Sequence, residues 1–179
     1  MTTSNTVQTL VKRLNLEDRV GNGRVRRYVL QCTLASLIVL ALLLLLDAVT
    51  QTVLIAALGA STFVAFAVPR SLQSGPRYLI GGYVVGITIG CLMGALYSAM
   101  HFSDATLAHA VMVLFGAVAT GLAMFTMVVT KTEHPPAAAL ALGLVLNEWS
   151  LLTIVVVFAG VLGLSVCKQL VLPVLLDLH

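Results

Sequence analysis

The chain has 179 residues, of which 59% are hydrophobic and only 9% are Asp, Glu, Lys or Arg, and its formal net charge is +3. Soluble domains carry about a quarter charged residues, so this supply cannot clothe a water-facing surface, and a single soluble domain is excluded. The basic excess does not indicate nucleic acid, because six of the ten Lys and Arg residues precede the first apolar run and the other four separate later runs. The partner implied by composition is the lipid bilayer.

Residues 1–27 form a basic N-terminal segment expected on the cytoplasmic side, in which the stretch Val11 to Val20 suits either a short surface helix or a loosely ordered positive tail. This segment is too long and mixed for a signal-peptide leader, so the first apolar run is expected to stay as an anchor. Four runs are long enough to cross about 30 Å of hydrocarbon as helices. They are Tyr28 to Leu46, Tyr78 to Met100, Ala105 to Thr130 and Trp149 to Cys167, and none contains Asp, Glu, Lys or Arg. Thr52 to Val68 is marginal for a crossing, and Pro135 to Leu146 is too short for one. The predicted fold is therefore an all-α polytopic integral membrane bundle with four long transmembrane helices and two short or broken ones. Its membrane domain occupies 28–170, and the tail 171–179 carries Pro173 at a kink or interfacial turn.

The short runs either re-enter on their own side or change sides with the rest. If all six segments change sides, Arg70, Arg77, Lys131 and Lys168 share the N-terminal face while Asp47, Asp104 and Glu148 lie opposite. That placement obeys the inside bias of Lys and Arg in short loops, and it favours six segments with both termini cytoplasmic, in a bacterial inner membrane. The order long, short, long occurs twice, and with three crossings per unit the second copy is inverted relative to the first. Secondary transporters use this arrangement and bind near the midplane, where short helices end.

Gly82, Gly86, Gly90 and Gly94 recur every four residues along the third segment. Such a stripe lets another helix approach closely, and close backbone packing is the main attraction available within lipid. The partner is either another helix of this chain or a second copy, the simplest homo-oligomer being a dimer. Gly59, Ala60 and Ser61 give the second segment a small surface, as Ala137, Ala138 and Ala139 give the fifth. Cys32, Cys91 and Cys167 lie within apolar segments without ligand spacing and read as small buried hydrophobes.

The most unusual word is Thr130-Lys131-Thr132-Glu133-His134-Pro135-Pro136, directly before the shortest apolar run. Proline suits the first turn of a helix. If that helix end is drawn into the membrane, its unpaired N–H groups and dipole form an anion cradle, to which Lys131 and His134 add charge while Glu133 holds the lysine or carries a proton. The plainer alternative is a Lys131–Glu133 loop ion pair with His134 as a cap. In the first half, Gly59 permits close approach or a local break, and Ser61 and Thr62 offer hydroxyls to a small polar solute or bond back to carbonyls one turn earlier. Arg70 and Arg77 either enforce orientation or gather anions at a cytoplasmic mouth. Tyr83, Asn147 and Trp149 are expected at interfaces or mouths, and His109 at an interface or a proton site. No metal, cofactor or catalytic motif stands out, so neither an enzyme nor a bound cofactor is expected.

The word His134-Pro135-Pro136, followed by Ala137-Ala138-Ala139, resembles the signature of the HPP family of integral membrane proteins. A second block, Gly59-Ala60-Ser61, Phe66-Ala67-Val68-Pro69, Ser71, Gln73, Pro76-Arg77 and Gly81-Gly82, is similar to that family's earlier block. Departures occur at Ala137 and Ala138, where members often carry glycine, and at Tyr83, where they often carry histidine. The resemblance implies a membrane domain usually described with four transmembrane segments, and plastid members of plants are linked to nitrite transport. The function expected is passage of a small inorganic monovalent anion, nitrite first, through a cavity framed by the short helices. The alternative is a membrane scaffold or sensor assembled through its glycine face. A wet cavity reaching His134 favours transport, and a dry packed centre favours the scaffold.

Overall fold

The computed structural model describes residues 29–34, 36–38, 52–175 and 177, and every element among them is helical. An apolar helix, α1, covers Val29–Ile38. It is followed by α2 (Thr52–Ala67), α3 (Pro76–Ser98), α4 (Ala105–Thr130), α5 (Pro135–Leu146) and α6 (Leu151–Val171), with 3-10 turns at Leu72–Ser74 and Leu172–Val174. Segment 1–27, with its Val11 to Val20 stretch, and the first run beyond Ile38, with Asp47, lie outside the described residues. Three helices, α3, α4 and α6, are long and apolar enough to span a membrane. Three of the four expected long spans are thus present, and of the first only Val29–Ile38 is described.

The helix boundaries follow from local chemistry. Pro76 sits in the first turn of α3 after an extended Gly75, two residues earlier than expected from hydropathy. The Asp104 carboxylate accepts from the Thr106 and Leu107 N–H groups and opens α4. Ser150 and Thr153 form a capping box, which leaves Trp149 just outside α6. At the end of α4, Lys131 takes a left-handed conformation (φ 53°), and the Thr132 N–H reaches back to the Met127 carbonyl at 2.9 Å. Pro173 lies in the 3-10 turn that ends α6, in keeping with the expected kink.

Burial is inverted relative to a soluble bundle. α4 turns only Gly116, Ala119, Ala123 and Met127 inward, one stripe at helical spacing, whereas Leu114, Val118, Met124, Phe125, Val128 and Val129 are exposed. Such an outer face suits lipid rather than water. α5 is the opposite case. Pro136, Ala137, Ala138, Leu140, Ala141, Gly143, Leu144 and Val145 are all buried, because α5 packs against α2, α3 and α4.

The glycine stripe is where α5 docks. A Cβ built on Gly82 would lie 2.6 Å from His134 Cβ, one on Gly90 2.9 Å from Leu144 Cβ, and one on Gly94 3.1 Å from the Leu144 carbonyl, while one on Gly86 would overlap the Ala137 carbonyl. Both sets of numbers rise together, so α5 runs parallel to α3. The stripe is therefore filled from within the chain, the first of the two partners expected for Gly82, Gly86, Gly90 and Gly94. Gly59 departs from expectation: α2 continues through it unbroken, and a side chain there would meet nothing within 4 Å.

Helices α2 to α6 alternate in direction. Arg77 Nη2 donates to the Thr130 carbonyl at 3.2 Å, and the Arg70 N–H donates to Asp177 Oδ1 at 3.1 Å, which gathers the end of α2, the start of α3, the end of α4 and the tail after α6 at one end. Arg70, Arg77, Lys131 and Lys168 all belong to that end. At the other, Tyr97 Oη donates to the Ala108 carbonyl at 3.2 Å, and Asp104 and Glu148 sit in the connectors. This is the charge separation expected of segments that all change sides.

Candidate functional site

The 12 residues of α5 span about 18 Å, against about 34 Å for the 23 of α3. Its first turn lies level with Gly82 rather than Pro76, which sets it about 9 Å inside the start of α3 at 1.5 Å per residue. A residue before proline is pushed out of the helical region, and His134 is accordingly extended (φ −139°, ψ 97°) at the N-cap. Its side chain turns inward and is 1% exposed.

His134 Nε2 lies 2.8 Å from Ser61 Oγ on α2. Ser61 Oγ is in turn 2.8 Å from Tyr83 Oη on α3 and 2.9 Å from the Ala57 carbonyl one turn earlier. On the other side of the ring, Nδ1 lies 3.2 Å from the carbonyl of Gln73. The turn bearing Gln73 is fixed by Ser74 Oγ, which donates to the carbonyls of Pro69 and Ser71 at 2.7 and 2.8 Å. The tyrosine and imidazole rings are 5.8 Å apart and tilted by 41°. Ser61 and Tyr83 have no exposed surface.

These partners fix the protons. A carbonyl only accepts, so Nδ1 carries the hydrogen and Nε2 of the neutral ring accepts from the Ser61 hydroxyl, which accepts from Tyr83. Buried, with Nδ1–H held by a carbonyl and Nε2 accepting from a hydroxyl, the ring is satisfied in its neutral form.

The expected amide cradle is absent at this helix end. Pro135 and Pro136 have no N–H, and the Ala137 N–H donates to the His134 carbonyl at 2.9 Å. The two prolines and the bonded Ala137 therefore leave the first turn of α5 without free amide donors, and the side-chain groups on offer are the imidazole and two hydroxyls. Of the expected site residues, Ser61 and His134 meet. Thr62 is buried, but its hydroxyl bonds back to the Leu58 carbonyl at 2.9 Å. Pro135 is exposed and Pro136 buried, while Arg70, Arg77 and Lys131 are exposed around the basic end. Half-buried Glu133 lines, with His134, Pro135, Met124, Met127 and Val128, a mainly apolar cavity of about 400 Å³ between α4 and α5. Tyr83 is the member that sequence reasoning placed at a mouth. The signal for it is its position next to Gly82, on the stripe Leu79, Tyr83, Gly86 and Gly90 that α3 buries.

No curated protein and no solved structure matches the chain. The family model described as HPP, transmembrane region, matches residues 22–175. That match covers nearly all of the membrane domain and both motif blocks that build the cluster, and the chain therefore belongs to the HPP transmembrane family.

Proposed function

We propose that this protein carries a small monovalent anion across the membrane, nitrite being the first candidate, along a path between α2, α3 and α5 with His134, Ser61 and Tyr83 as its polar constriction. The observation that carries the reading is the buried imidazole bonded to a hydroxyl within a helical membrane domain. Ionisable groups at such depth are expensive, and they mark substrate and ion paths. Arg70, Arg77 and Lys131 surround the nearer end, where they raise the local anion concentration. At the far end of α5, Tyr97, Ser98, Asn147, Glu148 and Trp149 line an open cavity of about 680 Å³, a vestibule of the right size for hydrated ions. By the inside bias of basic residues, the Arg70 and Arg77 end faces the cytoplasm of a bacterial inner membrane. No enzymatic step and no cofactor enter this reading.

One observation favours a scaffold or sensor instead: the centre is tightly packed, with the α3 stripe filled by α5 and the cluster closed on itself. Flux separates the two. The purified protein in sealed liposomes is expected to pass nitrite, nitrate, formate or chloride faster than protein-free vesicles, and His134→Ala is expected to slow it. Folded protein that passes none of the four supports the scaffold.

A further inference from the structure

We infer that His134 is the proton-binding residue of this path and that a proton and a monovalent anion occupy it together, the Ser61 hydroxyl turning from His134 Nε2 to the Ala57 carbonyl as the proton arrives. This deepens the transport reading above and rests on it.

The geometry satisfies two protonation states with the same heavy-atom positions. With a neutral ring, Ser61 donates to Nε2 at 2.8 Å, and the Ala57 carbonyl keeps its place in the α2 ladder. When a proton bonds to the Nε2 lone pair, Nε2–H donates to Ser61 Oγ across the same 2.8 Å, and the Ser61 hydrogen rotates onto the Ala57 carbonyl at 2.9 Å. Tyr83 donates to Ser61 Oγ and Nδ1–H donates to Gln73 in both states. No donor is orphaned in either state, although a buried orphan is what ordinarily opposes such a change.

Among the described residues no carboxylate bonds to the ring, and Glu133, its neighbour in the connector, is half-buried. α2 and α5 carry no titratable side chain, and α4 carries only His109, near its far end. α3 faces the ring with Tyr83 and starts at the cationic Arg77; the connector carries Lys131 and Glu133; α6 carries Lys168, which interacts with Asp177 of the tail. The hydrogen-bond partners of the His134 ring are Ser61 Oγ and the Gln73 carbonyl, both uncharged. A buried imidazolium without a partner is unfavourable, and an anion beside it removes that penalty. Coupling of this kind is reciprocal, so the anion tightens the proton and the proton tightens the anion.

The test uses full-length protein in which His101, His109 and His179 are replaced by Gln, so that His134 is the sole histidine. It is labelled with ¹⁵N-histidine and titrated in nanodiscs with and without sodium nitrite. The expected result is an Nδ1–H tautomer at neutral pH and a midpoint that nitrite raises by about one pH unit or more, a tenfold gain in proton affinity. In liposomes, nitrate and nitrite flux should then rise up to about tenfold per unit of acidification and respond to a pH gradient but not to a potassium–valinomycin potential. An Nε2–H tautomer, or a midpoint that nitrite leaves unmoved, overturns the inference. Flux that follows the potential and ignores pH overturns the coupling alone and leaves anion transport standing. Absence of flux for every anion overturns both.

Discussion

Replacing Gly86 by alanine tests the packing that places the cluster. The added Cβ would overlap the Ala137 carbonyl oxygen, a backbone atom inside α5 that has no rotamer to escape through. Relief requires the two helix axes to separate, and overpacking of this kind costs about 1–3 kcal/mol. Alanine recovers up to about 1 kcal/mol of helix propensity relative to glycine. Because the obstacle is backbone, the upper part of the overpacking range applies, and a net loss of roughly 1–2 kcal/mol is expected. Gly121 is the internal control: it lies in α4, and a Cβ there meets nothing within 4 Å. Gly121→Ala should be neutral or stabilising. The assay is thermal unfolding of both variants and the wild type in the same detergent. If Gly86→Ala is as stable as Gly121→Ala, then α5 does not sit against the α3 stripe, and the depth assigned to His134 is wrong.

Ser61→Ala leaves both the Tyr83 hydroxyl and His134 Nε2 without their partner, whereas Tyr83→Phe removes one donor and orphans nothing essential. Ser61→Ala is therefore expected to cost about 2–4 kcal/mol and Tyr83→Phe about 1 kcal/mol, read as a clear order of melting temperatures. The folded chain holds His134 buried and neutral, whereas the unfolded chain leaves its imidazole at the ordinary value of about 6.5, so acid favours the unfolded chain. Stability is then full above about pH 6.5 and falls as pH drops below it. His134→Gln should flatten that part of the profile, and an unchanged slope contradicts a neutral buried ring. Lys131 is the one non-glycine residue with positive φ among the described residues. Lys131→Gly should stabilise the protein by about 1 kcal/mol and, because it removes one of the cations at the basic end, slow flux at low salt; unchanged flux would remove its ammonium from the gathering of the anion.

Much of this arrangement was legible because lipid leaves few ways to read a sequence. Runs free of charge matched α4 to the residue, α3 to within two residues and α6 to within four. The separation of Arg70, Arg77, Lys131 and Lys168 from Asp104 and Glu148 indicated the alternation of direction. Repetition of glycine every four residues marked a docking face, yet periodicity on one helix carries no information about what fills it, and α5 of the same chain does. The His-Pro-Pro word located the site but misdirected its chemistry. Helix-end reasoning supplied free amides, whereas two successive prolines remove them and force the histidine side chain to become the polar feature. Ser61 and Tyr83 are 22 residues apart, and His134 is 73 beyond Ser61. Their meeting depends on three helices crossing at one level, which no local pattern encodes. Gly59 reads in sequence as a point of close approach or a local break, but helix formers on both sides and an open face leave α2 continuous there.

The central claim is that an anion travels past the cluster, and the most direct measurement is chemical access to it during transport. With Cys32, Cys91 and Cys167 replaced by serine or alanine, Ser61→Cys in liposomes is exposed to a small negatively charged methanethiosulfonate. The thiol is expected to be modified, and saturating nitrite to slow the modification. A thiol that stays inert from both sides of the membrane, in protein shown to be folded, would contradict that claim.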